Sequence, residues 1–256
     1  MPKLLQMASR PDYPPKCADC QLRKTPAFLP VNGQQLGHIE TMRHDRSGYT
    51  AGSEIIPEHQ RAKSLYTLYA GWAFRFKTLS DGRRQILNFL LPGDLLGLQE
   101  QFSDGPSHGV EALTEVSLCV FPLQKLWELF KEDTNLAFNV TWLAAREESF
   151  VDENLLSTGR RNAIERIAAL LLHLNRRATR LGLADKEKGS ILFPLTQSHI
   201  ADALGLSLVH TNRSLRHLQR AGLHRIEAGR LTILNSKVLE RLSEYYDQPV
   251  RQIPLI

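Results

Sequence analysis

The stretch from Leu195 to Leu234 restricts the fold of this chain more than any other. Leu195-Thr196-Gln197-Ser198 opens a helix, with the Thr196 hydroxyl placed to accept a hydrogen bond from an unpaired N–H of the first turn. Ile200, Ala201 and Leu204 recur at helical spacing and supply its buried face, and the small Ala201 lets a second helix approach closely. Gly205 follows where the chain must turn sharply, a position that commonly needs positive φ. Ser207 can cap the next helix, which runs to about Arg220. Helix, short glycine turn, helix is the helix-turn-helix arrangement. After Ala221-Gly222, Leu223 to Leu234 reads as a hairpin around Ala228-Gly229. Such a hairpin forms a wing, with Arg225 and Arg230 available to phosphates.

The second helix divides into two faces. Thr211, Leu215 and Leu218 lie on one side and pack inward. Val209, Asn212, Arg213, Arg216 and Arg220 lie on the other, with His210 and His217 flanking them. Arginine forks onto guanine O6 and N7, and asparagine pairs the major-groove edge of adenine, so this face suits a major-groove reader. The plainer alternative is a solvated helix whose charges serve solubility. Local charge favours the reader: Arg160 to Arg225 holds twelve Lys/Arg against four Asp/Glu, whereas the rest holds twenty against twenty-three. Segregated positive charge is what phosphate-backbone binding uses.

Upstream, the pattern changes along the chain. Pro2, Pro11, Pro14, Pro15, Pro26 and Pro30 make residues 1–30 an irregular arm, which carries Cys17-Ala18-Asp19-Cys20. From Gly33 to Phe121 the pattern predicts short strands broken by turns. Ser64 to Tyr69 and Ala73 to Leu79 are two of them, joined near Gly71; Asp81-Gly82 signals a hairpin into Arg83 to Leu91. Pro92-Gly93-Asp94 and Asp104-Gly105-Pro106 are further turns, and Glu115 to Phe121 is the last strand. Many short strands at close spacing predict a sandwich or jelly roll. Leu123 to Phe130 reads as a short helix, and Asp133 to Leu156 as a long one with two apolar stripes. Leu136, Val140, Leu143 and Phe150 form the first stripe, Phe138 and Trp142 the second. One sandwich cannot cover both, which favours packing against a second copy over a helix lying wholly within its own subunit. Ile164, Ile167, Ala168, Leu171 and Leu174 mark a third helix, Arg160 to Arg180, before a polar loop from Gly182 to Ser190.

Several function classes drop out. No apolar run approaches the roughly 20 residues needed to span a bilayer, and Met1-Pro2-Lys3 opens no signal-peptide pattern. Three cysteines fit a reduced, cytoplasmic setting better than a disulfide framework. The chain shows no glycine-rich phosphate loop, no GxSxG elbow and no paired histidines at metal spacing, so an enzyme reading has little chemistry behind it. A ligand-binding jelly-roll protein with a basic tail is the rival from another class.

Leu195 to Leu234 resembles the winged helix-turn-helix of the CRP/FNR superfamily of bacterial transcription regulators, and is closer to its FNR-like branch. LLPGDLLGL resembles the family's glycine-aspartate turn, the residues from Ala145 onward its dimer helix, and RNAIERIAALLLHL the opening of its DNA domain. The resemblance covers nearly everything after residue 30. It implies an α+β chain: an N-terminal β jelly-roll sensor, a long dimerisation helix and a C-terminal winged helix-turn-helix. The corresponding spans are 1–30 for the arm, 31–122 for the sensor and 123–158 for the short helix and dimer helix. The DNA-binding domain takes 159–235, and a C-terminal helix and tail 236–256. The implied partners are double-stranded DNA at a palindromic operator, a second copy of the chain and RNA polymerase. DNA contacts are implied at Thr196, Gln197, Ser207, Val209, His210, Asn212, Arg213, Arg216 and Arg220.

Departures from the family refine this. Cyclic-AMP-binding members carry a Gly-Glu pair and an Arg-Ser pair where this chain has Gly97-Leu98 and His108-Gly109, so cyclic AMP is disfavoured. Arg213 aligns with the family's base-reading arginine, but Val209 replaces a common glutamate and Asn212 a serine of oxygen-sensing members. A shifted operator is expected. Oxygen-sensing members hold an iron–sulfur cluster on four thiolates; Cys17, Cys20 and Cys119 match three, and the fourth falls near Pro26, which cannot ligate. A cluster on three thiols, sensing oxygen, redox state or nitric oxide, stands beside a plainer reading: a core Cys119 and a CxxC on a loose arm. A DNA-binding protein that ignores any signal also remains open.

Overall fold

The computed structural model describes residues 16–99, 108–246 and 251–256. The chain divides into two compact units: Met1–Phe76, Phe89–Glu148 and Arg251–Ile256 in the first, Lys77–Asn88 and Ser149–Val250 in the second. This cuts the long helix rather than following the expected boundary at its end. The Asp104-Gly105-Pro106 turn and the prolines before residue 16 lie outside the described residues.

Apart from Lys77–Asn88, which cluster with the second unit, the strands before the long helix make the first unit a jelly roll of two antiparallel sheets. Its strands are β1 (Asp45–Tyr49), β2 (Glu54–Ile56), β3 (Ser64–Ala70), β4 (Ala73–Thr78), β5 (Arg84–Leu90), β6 (Leu95–Leu96), β7 (Gly109–Ala112) and β8 (Val116–Pro122). They are ordered β1-β8-β3-β6 and β2-β7-β4-β5. Between the sheets lie Ile56, Leu68, Leu90, Leu96, Val110 and Leu118, all buried, as the period-2 alternation of the strands requires. Gly71 turns β3 into β4 at φ 90°, where a Cβ would stand 2.3 Å from the Glu115 carbonyl. The Asp81-Gly82 hairpin forms as expected, except that Gly82 alone takes positive φ, at 85°. Asp81 instead uses its carboxylate to accept from the Arg83 backbone N–H and guanidinium.

Residues Gly33–Met42 are helical (α1), not part of the strand set. A capping box explains the difference: Asn32 accepts from the Gln35 N–H at 2.8 Å while Gln35 accepts from the Asn32 N–H at 3.1 Å. Ile39 and Met42, three apart, are both buried. With α2 (Gln124–Glu132) and the first half of α3 (Thr134–Arg160), α1 covers the outer face of the β1-β8-β3-β6 sheet through Leu65, Phe121, Leu126, Leu136 and Val140. Helix α3 has 27 residues, about 40 Å at 1.5 Å per residue. Its first stripe is buried at Leu136, Val140 and Leu143, whereas Phe138, Val151, Leu155 and Leu156 are exposed.

The second unit is built on α4 (Ala163–Arg180), whose N-terminus is closed by an Asn162–Glu165 capping box. Around it pack α5 (Gln197–Leu204), α6 (Leu208–Arg220), α7 (Ser236–Ser243) and a three-stranded sheet. Ile167, Ala168, Leu171 and Leu174 of α4 are buried as the sequence stripe predicts, but Ile164, its first member, is only half-buried and faces the α6 groove instead. The hairpin β10 (His224–Glu227) and β11 (Arg230–Ile233) is the expected wing; β9 (Ile191–Leu192), too short to carry a pattern, adds a third strand. Ala228 and Gly229 both take positive φ at its tip.

His224 stands in this unit's core, 2% exposed, with neither ring nitrogen hydrogen-bonded. Burial pulls its pKa below the ordinary 6.5. The unfolded chain therefore takes up a proton that the folded chain resists. The stability this neutral ring allows is complete above pH 6.5 and declines as pH falls toward the lowered folded value. Denaturant melts at about pH 8 and about pH 5.5 should show a loss on acidification that shrinks in His224→Phe, by at most about 1.4 kcal/mol per pH unit. An equal loss in both proteins would remove His224 as a cause.

Candidate nucleic-acid interface and a thiol pocket

The turn between α5 and α6 sets the candidate interface. Gly205 closes α5 at φ 61° and ψ 38°, the left-handed conformation that ends a helix and redirects the chain. On one side of it Thr196 accepts from the His199 N–H, and His199 Nδ1 accepts in turn from the Thr196 N–H at 3.1 Å. Burial, then the nearby Arg84 guanidinium, hold the His199 pKa below its ordinary value, so the ring stays a neutral acceptor there. On the other side Ser207 accepts from the His210 N–H, and the His210 ring lies 3.2 Å from the Ser207 hydroxyl. Both hydroxyls are thus engaged as helix caps, which makes Thr196 and Ser207 positioning groups at exposed helix N-termini, where the helix dipole favours anions.

Helix α6 is anchored by Thr211, Leu215 and Leu218, all buried. Its opposite face carries Arg213, Arg216, His217 and Arg220, all exposed, with Val209 75% exposed at the start. With Gln197, Asn212 and Ile164 these side chains line an open groove of 1010 Å³. Asn212 Nδ2 donates to Gln197 Oε1 at 2.9 Å. The two amides named separately from the sequence therefore form one unit bridging α5 and α6; the fifteen-residue separation gives no local signal of it. Arg213, Arg216 and Arg220 make no ion pair among the described residues and keep their full donor sets. The wing departs from expectation. Arg230 donates to the Ser190 hydroxyl and carbonyl at 2.8 and 2.7 Å, pinning β11 to the segment before β9. Arg225 faces Glu227 at 3.6 Å, in an exposed pair that binds weakly and leaves it able to turn to a phosphate.

The first unit brings all three cysteines to one pocket. Across the β1-β8-β3 ladder Cys119 stands between Arg46 and Thr67 in register, so the three side chains share a face. Cys17 and Cys20 reach the same pocket from the arm, with Arg23, Arg43, Tyr69, Leu255 and Ile256 completing its walls. Burial pushes the Cys17 thiol above its ordinary pKa against the pull of Arg43 and Arg23, and burial does the same to Cys119 against Arg46. Arg23 Nε and Nη1 and Arg46 Nε are buried without a hydrogen-bond partner.

This arrangement does not fit a four-iron cluster. The donors are soft, as a cluster requires, but no fourth thiol is present. The pocket's free volume is about 20 Å³, space for one water. Among the described residues no three Cys, His, Asp or Glu side chains are grouped to hold a metal ion. The places of the missing nucleotide clamp are also filled. Leu98 is buried, and Gly109 lies under the Phe76 ring, where a Cβ would stand 2.5 Å from it. The buried Arg75 already donates to Glu147 at 2.6 Å and to Gln99 at 2.8 Å.

Comparison with known proteins agrees with this geometry. Residues 46–133 match the cyclic nucleotide-binding domain and residues 165–242 the Crp-like helix-turn-helix domain. The chain is 30% identical over 228 residues to the nitrogen fixation regulation protein FixK of Bradyrhizobium diazoefficiens, covering 89% of this chain and 93% of that one. It is 28% identical to the transcriptional activator protein FnrL of Cereibacter sphaeroides, covering 91% and 94%. The structure of FixK2 from Bradyrhizobium japonicum superposes with a TM-score of 0.68 at 30% identity, over 77% of this chain and 96% of that one. The chain belongs to the CRP/FNR family of transcription regulators, on its FNR-like branch.

Proposed function

We propose that the protein is a sequence-specific transcription regulator, without catalytic activity, that binds a palindromic operator as a homodimer in the cytoplasm and works with RNA polymerase. The observation that carries this reading is the exposed, unpaired Arg213–Arg216–Arg220 face of α6, held in register by the Asn212–Gln197 hydrogen bond. Val209 suits a thymine methyl, Asn212 an adenine edge and Arg213 a guanine. Thr196, Ser207 and His210, at the helix N-termini, suit phosphates. The exposed Phe138, Val151, Leu155 and Leu156 of α3 supply the apolar surface for a twin helix. A two-fold pair presents two reader helices to half-sites about 34 Å apart. Among the described residues no helix is long and apolar enough to cross a membrane.

The signal enters through the jelly roll. Cys17, Cys20 and Cys119 are the groups we assign to sensing oxygen, redox state or nitric oxide, and they do so as thiols sharing one pocket. A cluster on the same three would need a wider pocket and a further ligand.

Arg213→Ala should weaken binding to the preferred operator by roughly 1–3 kcal/mol and relax selectivity at one base pair per half-site. Quantitative footprinting on matched and mismatched duplexes checks this, and an unchanged footprint would exclude Arg213 as a reader. Protein purified without oxygen should lack iron and the absorbance band near 400 nm; a stoichiometric iron content with that band would restore the cluster.

A further inference from the structure

After α7 the chain returns to the first unit, and residues 251–256 lie along the cysteine arm. Ile253 forms a parallel bridge with Phe28: its N–H donates to the Ala27 carbonyl and its carbonyl accepts from the Leu29 N–H, both at 2.8 Å. The Gln252 amide donates to the Pro26 and Phe28 carbonyls at 3.1 and 3.3 Å. Thr67, 3% exposed, donates its hydroxyl to the Ile256 carbonyl at 2.7 Å. Leu255 and Ile256 are 3% and 5% exposed, and both form walls of the pocket that holds the three thiols. A backbone ladder on one side, side chains in an apolar seat on the other, is how strand addition recognises an extended peptide.

We propose that Ala27–Leu29 and the Thr67–Cys119 face of the sheet form a peptide-binding groove, that its occupant is this chain's own segment 251–256, and that seating it closes the thiol pocket. Three features support the groove as a built site. The Thr67 hydroxyl would be an unpaired buried donor without the segment. Ile256 belongs to the same buried cluster as Cys17 and Ile39, so its removal opens a void beside the sulfur. The arm residues that the segment ladders, Pro26–Leu29, begin six residues after Cys20, so loosening them loosens the arm that carries Cys17 and Cys20. The sensory meaning of the pocket rests on the function proposed above. The groove itself does not.

Site-resolved alkylation by iodoacetamide, read by mass spectrometry on the reduced native protein, tests the groove. Cys17 and Cys119 should react roughly tenfold faster in a chain lacking residues 251–256. A synthetic peptide Arg-Gln-Ile-Pro-Leu-Ile added to that chain should slow them again. Thr67→Val combined with Gln252→Ala, which removes anchoring bonds while leaving the buried volume nearly unchanged because Gln252 is exposed, should raise the same two rates and leaves a readout if the shortened chain fails to fold. Unchanged rates in both variants, or no protection by the peptide in a folded shortened chain, would overturn the proposal. Because the readout is thiol access and not DNA affinity, failure of the DNA-reading assignment would leave it untouched.

Discussion

A major-groove reader works only if its side chains are aimed before DNA arrives, because ordering long arginines at the moment of binding costs conformational entropy. For the α6 face proposed as the reader, that aim is set by the α5–α6 turn. Gly205 supplies the left-handed residue that lets two helices cross after three residues. The buried Thr211, Leu215 and Leu218 fix the rotation of α6 about its axis, and the Asn212–Gln197 bond ties the two helices at the exposed surface. Arg166, donating to the Leu204 carbonyl at 2.9 Å, secures the end of α5 from behind. The guanidiniums of Arg213, Arg216 and Arg220 can then remain unpaired because no packing role claims them.

The jelly-roll unit follows the opposite logic, since two of its arginines are paired internally. Arg75 is paired with Glu147, and Arg146 reaches Asp94 at 3.1 Å, each joining the jelly roll to α3. Breaking one partner of a buried pair is far costlier than the pair is worth. These contacts therefore lock the helix to the sandwich. Buried donors without a partner remain at Arg75 Nε and, in the cysteine pocket, at Arg23 Nε and Nη1 and Arg46 Nε, although the Arg46 guanidinium also stacks on the Tyr69 ring.

Much of this was legible from residue patterns. The helix-turn-helix and wing follow from caps, a positive-φ glycine and apolar spacing, all local signals. The arginine face of α6 follows from the same periodicity that buries Leu215 and Leu218. Less local features escaped. Helix α1 hid behind a polar sequence whose only strong cue is the Asn32–Gln35 capping box. The Asn212–Gln197 pairing and the Arg230–Ser190 clamp depend on tertiary proximity across 15 and 40 residues. The return of residues 251–256 to the arm joins positions more than 220 apart, and nothing in a window of sequence can show it. The cysteines were recognisable as a set, but only the geometry shows that they share their pocket with three arginines and a peptide segment.

Selection of bound duplexes from a random pool tests the central claim most directly, since specificity, symmetry and half-site identity are read together. The account requires enrichment of a two-fold symmetric sequence, its half-sites about one helical turn apart, each with a guanine contacted by Arg213. Recovery of no consensus at moderate salt, with or without oxygen, would contradict it.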